Sequence, residues 1–308
     1  MTLLYTSDPT RGRIWRDIFA KQAPDIGFSE LDDAPDKATI RYLAAWNPQA
    51  DLFAQLPALE VLFSIGAGVD QFNMAAVPDH VRVVRMIEPG IIAGMVEYAT
   101  MATLAMHRNL IDYGIAQREG RWAPIKLVPA SERRIGIMGL GSLGQAVLQS
   151  LSNFGFSLSG WSRSAHSIEN VECYAGEDQL NGFLAKCDIL ICLLPLTDET
   201  RGILSRKTLS QLPRGAALIN CARGGHLVDE DLIALLDEGH LSGAMLDVTE
   251  PEPLPAGHAF WDHPRILLTP HVASMTRADS AAQALIANIR RHQAGTSMDG
   301  EVARDRGY

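Results

Sequence analysis

Four cysteines are few for a chain of 308 residues. Cys173, Cys187, Cys192 and Cys221 all fall in one half and show no paired metal-type spacing. A disulfide framework and a zinc site are therefore not expected, and a reducing, cytoplasmic compartment is. Long apolar runs are missing too, so no membrane span is expected. Behind Met1 a short apolar strand ends before Asp8, with no basic start leading into a long apolar stretch, which argues against a secretory leader. Positive charge is in short supply: 27 Lys and Arg against 36 Asp and Glu leave a net charge of −9. That balance argues against nucleic acid as a partner, while still allowing a local basic pocket for a phosphorylated small molecule. No internal repeat or low-complexity segment interrupts the chain. What is present is 47% hydrophobic and 20% charged, which suits a soluble protein with a sizeable core and room for two domains.

Short apolar runs alternate with longer amphipathic ones from the start: Thr2 to Thr6 then Arg11 to Gln22, Ile40 to Ala44 then Leu52 to Leu56, Val61 to Ile65 then Asp70 to Ala76. Such alternation is the pattern of parallel strands joined by crossover helices. It pauses at Val81 to Met86, and Ala93 to Arg118 then reads as one long helix. A second series has strands at Arg134 to Met138, Ser157 to Trp161, Asp188 to Leu194, Ala216 to Asn220, Gly243 to Asp247 and Ile266 to Thr269. A last helix, Arg277 to Gln293, follows the second sheet and is placed to return to the first. Apolar positions on Ala93 to Arg118, among them Met95, Val96, Ala99, Met101, Ala102, Leu104 and Ala105, exceed what one packed face requires, and a homodimer held by this segment is expected.

The strand Arg134 to Met138 runs directly into Gly139-Leu140-Gly141-Ser142-Leu143-Gly144 and then a helical pattern. In a dinucleotide-binding turn the first glycine permits the tight turn, the second lets the pyrophosphate approach the backbone, and the third lets helix pack on strand. The helix N-terminal amides then take phosphate oxygens. Alone, such glycines carry little; between strand and helix they point to a nucleotide. About 20 residues further on, an NAD site places an acid at the next strand end. Here that end reads Trp161-Ser162-Arg163-Ser164, with no acid before Glu169. A guanidinium with two hydroxyls matches a 2′-phosphate, so NADP(H) is the expected cofactor, with NAD(H) admissible.

Three later strand ends carry chemistry: Asn220-Cys221-Ala222-Arg223-Gly224-Gly225, then Asp247 through Glu252 to Pro255, then Thr269-Pro270-His271-Val272-Ala273-Ser274. Singly, Arg223 reads as a surface ion pair, Glu252 as a solvated loop acid and His271 as a structural histidine. At successive strand ends beyond a nucleotide turn they read as a site, since open αβ sheets bind ligands there. Their order and spacing resemble the D-2-hydroxyacid dehydrogenases, in which an ARG segment, an EPLP segment and a TPH segment supply catalytic Arg, Glu and His. The loop Ser64-Ile65-Gly66-Ala67-Gly68-Val69-Asp70 resembles that family's substrate loop. Within the family, Tyr113, Gln117, Trp122, the stretch Trp161 to Ser164, and Trp261-Asp262-His263-Pro264 are most similar to the glyoxylate/hydroxypyruvate reductase A branch. Ala165 and His166 depart from it, because further basic residues are expected there.

The resemblance implies a flavodoxin-like substrate domain (1–97, completed by 277–308) and a Rossmann NADP-binding domain (98–276), with an active-site cleft between them. It implies NADPH-dependent reduction of small 2-keto acids, glyoxylate to glycolate and hydroxypyruvate to D-glycerate. His271 would give the proton, Glu252 would favour its protonated ring, and Arg223 would polarise the carbonyl and anchor the carboxylate. Besides the glycine turn and Trp161 to Ser164, it places Leu194, Pro195, Cys221, Ala222, Arg223, Asp247 and His271 at the cofactor, Asp247 orienting the ring amide. Gly66, Ala67, Gly68, Arg223, His271 and Ser274 fall at the substrate. Trp46, following the apolar run Ile40 to Ala45, is expected at a strand end beside the same loop, as a wall or as a core cap. A dehydrogenase of another 2-keto acid stays open, and so does a non-catalytic dinucleotide-sensing corepressor, which keeps the same residues.

Overall fold

Strands buried on both faces read as unbroken apolar runs, because crossover helices cover the sheet from either side. A computed structural model describes residues 1–33 and 36–303, and the chain divides into two units, Met1–Ile91 with Met275–Tyr308, and Ile92–Ser274.

In the first unit β1 (Thr2–Thr6), α1 (Pro9–Gln22), β2 (Gly27–Glu30), β3 (Ile40–Ala45), α2 (Ala50–Ala54), β4 (Val61–Ser64) and β5 (Arg82–Val84) form a parallel sheet of order β2-β1-β3-β4-β5. That is the flavodoxin-like order. Pro9 opens α1 with its φ preset, and the Asp8 carboxylate caps it by accepting from the N–H groups of Thr10 and Arg11. The helix expected over Asp70 to Ala76 is only a 3-10 turn at Met74–Ala76. The Ser64 hydroxyl there ties the carbonyls of Gly66 and Gly68 into a loop, leaving too few residues for a helical nucleus.

The second unit starts within α3 (Pro89–His107), followed by α4 (Leu110–Arg118). The single long helix expected here is broken at Asn109, φ 55°, a left-handed conformation that asparagine tolerates better than most residues. Then come β6 (Arg134–Met138), α5 (Ser142–Ser152), β7 (Ser157–Ser162), β8 (Glu172–Ala175), α6 (Gly176–Leu184), β9 (Ile189–Cys192), α7 (Arg206–Leu209), β10 (Ala216–Asn220), α8 (Asp229–Asp237), β11 (Leu241–Leu246) and β12 (Ile266–Leu268). The sheet order β12-β11-β10-β9-β6-β7-β8 is parallel throughout. Counted from β6 it is the doubly wound 3-2-1-4-5-6 order with one strand added, and its order reverses between β6 and β9, where ligands bind at strand carboxyl ends. The edge strands β2 and β8 left no apolar run in the sequence because both are short and mostly half-buried.

The last helix, α9 (Ala278–Gln293), packs on α1, buries Ala281, Ala282, Leu285 and Ile289, and pairs Arg290 with Asp25. Of the expected C-terminal segment 277–308, residues 304–308 lie outside the described residues.

Candidate active site

The three motif glycines are in three different environments. Gly139, φ +106°, makes the turn out of β6, where a Cβ would lie 2.6 Å from the Leu193 carbonyl oxygen. A Cβ on Gly144 would lie 1.9 Å from the Gly139 carbonyl oxygen, so α5 and the turn touch through bare backbone. A Cβ on Gly141 would meet nothing within 4 Å. Gly141 caps α5 with no side-chain bond, and the first turn at Ser142 and Leu143 carries no acid. Open space in front of uncapped helix amides is the cradle a pyrophosphate needs.

At the end of β7, Trp161 is buried and its indole N–H donates to Gly176 O at 2.8 Å, so its side chain belongs to the core. The Ser162 hydroxyl donates to Ser164 O at 2.7 Å, folding the backbone beyond the strand back on itself. Arg163 and Ser164 are exposed. The Glu199 carboxyl is held below its usual range, chiefly by a hydrogen bond from Thr197, with the Arg163 charge a lesser cause. Leu194, Cys221 and Ala222 are buried. Burial pushes the Cys221 thiol well up, which keeps it protonated and inert.

At the ends of β10, β11 and β12 the catalytic candidates are held by backbone and by each other. Arg223 Nη1 donates to Ala222 O at 2.7 Å. Glu252 Oε2 lies 2.7 Å from His271 Nδ1, and its Oε1 accepts from Thr249 N–H at 3.2 Å. A carboxylate can only accept, so His271 carries a proton on Nδ1 and presents Nε2 away from Glu252. The buried Asp247 carboxylate accepts from Thr269 Oγ1 and Val272 N on Oδ1 and from Ala273 N on Oδ2.

In the first unit, Gly66 N–H donates to Ser64 Oγ at 3.2 Å, and Gln71 Nε2 donates to the same oxygen at 2.9 Å. Among the described residues the N–H groups of Ala67, Gly68 and Val69 have no protein acceptor. Trp46 lies against this loop: a Cβ on Gly66 would be 2.6 Å from Trp46 Cζ3. At 42% exposure Trp46 is not a core cap.

Residues 100–273 match the family described as D-isomer specific 2-hydroxyacid dehydrogenase, NAD binding domain. This chain belongs to the D-isomer-specific 2-hydroxyacid dehydrogenases. Solved members are similar over almost their whole length. A D-isomer-specific 2-hydroxyacid dehydrogenase from Xanthobacter autotrophicus Py2, in complex with NADPH and MES, is 37% identical with a TM-score of 0.94, covering 100% of this chain and 99% of that one. An NADPH-dependent glyoxylate/hydroxypyruvate reductase from Sinorhizobium meliloti, with NADP and sulfate, is 34% identical with a TM-score of 0.92 over 100% and 99% of the two chains. A probable 2-hydroxyacid dehydrogenase from Rhizobium etli CFN 42, with NADP, HEPES and L(+)-tartaric acid, gives 33%, 0.91, 100% and 99%. The protein is thus an NAD(P)-dependent 2-hydroxyacid dehydrogenase.

Two buried residues of this dehydrogenase went unread in the sequence. Asn220 Nδ2 donates to Arg223 O at 3.0 Å, and its Oδ1 accepts from Ala222 N–H. The His226 ring nitrogens lie 3.1 Å from Arg223 O and 3.2 Å from Pro195 O, linking the arginine loop to the end of β9. A polar Asn closing an apolar strand was the available signal; His226 left none.

Proposed function

We propose that this dehydrogenase reduces glyoxylate to glycolate and hydroxypyruvate to D-glycerate, with NADPH preferred. The observation that carries the reading is the His271–Glu252 pair, which leaves one imidazole nitrogen to donate at a strand end of a dinucleotide fold. The cofactor's place fits the open cradle at Gly141 and the α5 amides of Ser142 and Leu143, with Asp247 holding the ring amide on the remaining lone pair of Oδ2. When bound, the reduced nicotinamide supplies the hydride. His271 gives its Nε2 proton to the carbonyl oxygen, and Arg223 polarises that carbonyl and steadies the carboxylate. Gly66, Ala67, Gly68 and Ser274 complete the substrate contacts, with the amides of Ala67 and Gly68 as carboxylate donors. A panel of 2-keto acids with NADPH and NADH, followed by nicotinamide absorbance, tests the whole reading, and phenylpyruvate reduced as readily as glyoxylate would refute it.

Arg163 supports the NADPH preference, since it is exposed at the strand end where a 2′-phosphate is read. A charge-assisted contact contributes about 1.5–3 kcal/mol. Arg163→Ala should therefore raise the NADPH Michaelis constant by roughly 10- to 100-fold and leave NADH use nearly unchanged. Equal losses with both cofactors would sink the assignment.

Trp46 supports a small substrate. Its ring covers Gly66 beside the open amides, so a bulky substituent next to the carboxylate meets the indole, while the ring N–H is available to a hydroxyl such as that of hydroxypyruvate. In Trp46→Ala, branched 2-keto acids should gain activity relative to glyoxylate. Loss of stability should fall well short of the roughly 3–5 kcal/mol that deleting a core aromatic costs. A thermal melt together with kcat/KM for both substrates separates the outcomes; unchanged selectivity would remove Trp46 from the pocket.

We further propose a homodimer and a cytoplasmic location. Met95, Ala99, Ala102 and Ala105 are buried within the chain's own core and give the dimer no support. Support comes instead from exposed Met101, Leu110 and the 99% exposed Trp122, and from a cavity of about 490 Å³ lined in part by Leu110, Tyr113 and Trp261. Light scattering at micromolar concentration should give twice the chain mass; a monomer mass rules the dimer out. Four unpaired thiols support the reducing compartment.

A further inference from the structure

His271 lies in the left-handed region, φ 54°, a conformation disfavoured for any residue with a side chain and kept only where surroundings impose it. Here Asp247 supplies most of the backbone contacts, beside the Thr269 carbonyl, which also accepts from His271 N–H at 3.1 Å. The Asp247 carbonyl accepts from His271 N–H at 2.8 Å, and its carboxylate accepts from the next two amides, Val272 and Ala273, each at 2.8 Å. The turn carrying the imidazole is wrapped round one carboxylate that is 1% exposed.

That carboxylate is itself held from α3. Thr269 Oγ1 lies 2.6 Å from Asp247 Oδ1 and 2.6 Å from Tyr98 Oη. The direction of both bonds follows from chemistry. A carboxylate has no proton to give, so the Thr269 hydroxyl donates to Asp247, and the Tyr98 hydroxyl must then donate to Thr269. Tyr98 keeps its proton for this, because burial pushes its ionisation well above the ordinary range.

We propose that Tyr98 and Thr269 are positioning residues for the proton donor, forming a directed chain from Tyr98 through Thr269 to Asp247 that fixes the backbone of 271–273 and with it the imidazole against Glu252. The proposal rests on the reading of His271 as proton donor. If the two hydroxyls merely satisfied buried polar groups, their loss would lower the melting temperature and leave kcat alone. If they act in series, removing either breaks the same chain, and the second removal adds little.

The test is a double-mutant cycle on the full chain: Tyr98→Phe, Thr269→Val, both together, and Thr269→Ser, with kcat and KM for the best keto acid and the NADPH dissociation constant by fluorescence. Each single loss should lower kcat about tenfold, Thr269→Val by removing the bond to the charged Asp247 and Tyr98→Phe by removing the bond that orients the Thr269 hydroxyl, with NADPH affinity within about twofold of the unmodified enzyme. The double variant should be no slower than Thr269→Val by more than about twofold, and Thr269→Ser should recover most of kcat. Losses that multiply, or a lowered melting temperature with unchanged kcat, overturn the chain. Should Thr269→Val fail to fold, Tyr98→Phe and Thr269→Ser decide the matter, and unmodified kcat in Tyr98→Phe overturns it. Normal turnover in His271→Ala removes the donor reading and the proposal with it, whereas an inactive His271→Ala beside multiplying losses removes the proposal alone.

Discussion

His271→Ala is expected to lose about 10²- to 10⁴-fold in kcat, the usual worth of a positioned general acid, with the NADPH dissociation constant little changed. In the proposed reaction, charge develops on the carbonyl oxygen as hydride reaches the carbon, and without the His271 donor that charge would have only Arg223 and water to meet it. The loss should therefore sit in kcat and not in cofactor binding. Glu252→Gln offers a graded comparison. Glutamine can still accept from Nδ1–H across the 2.7 Å contact, but a neutral acceptor is roughly half as strong as a charged one. A loss of about tenfold is expected, smaller than that of His271→Ala. Arg223→Ala should differ from both by raising the keto-acid Michaelis constant as well as lowering kcat. Stopped-flow single turnovers with saturating NADPH separate these effects. Near-normal turnover in His271→Ala would show that the proton comes from elsewhere.

Gly144→Ala should be the most damaging change at the cofactor cradle, because its new methyl would lie 1.9 Å from the carbonyl oxygen of Gly139 and 3.0 Å from its carbon. Backbone cannot swing aside as a side chain can, so α5 must move off β6. Overpacking of this kind costs about 1–3 kcal/mol or more, and the same shift would carry the helix amides away from the proposed phosphate position. Both the melting temperature and NADPH affinity should fall, the affinity by about tenfold or more. Gly141→Ala is the control: its methyl meets nothing within 4 Å of protein, so stability should hold while cofactor affinity drops. Gly141→Ala with unaltered NADPH affinity would show that the open space at this position is not the pyrophosphate's.

Much of this was legible from residue order alone, and the reason is physical. Parallel strands buried on both faces have to be apolar throughout, so β1, β3, β4 and the run from β6 to β12 appeared as apolar segments with few errors, while the half-buried edges β2 and β8 did not. The glycine turn was readable because Gly139 and Gly144 answer local steric demands and Gly141 leaves open space before the helix, and the segments bearing Arg223, Glu252 and His271 stood out as polar residues following strands, the place where such sheets bind ligands. Tertiary structure alone decided the rest. Asn109 breaks the long helix through a single left-handed residue, Ser64 converts an expected helix into a loop, and most of the apolar excess on α3 turns inward to the chain's own core. Only in three dimensions does Tyr98 meet Thr269, 171 positions away, or Trp46 lie on Gly66. Periodicity and local sterics are written along the chain, whereas a hydrogen bond between distant side chains depends on a register that exists only once the sheet has formed.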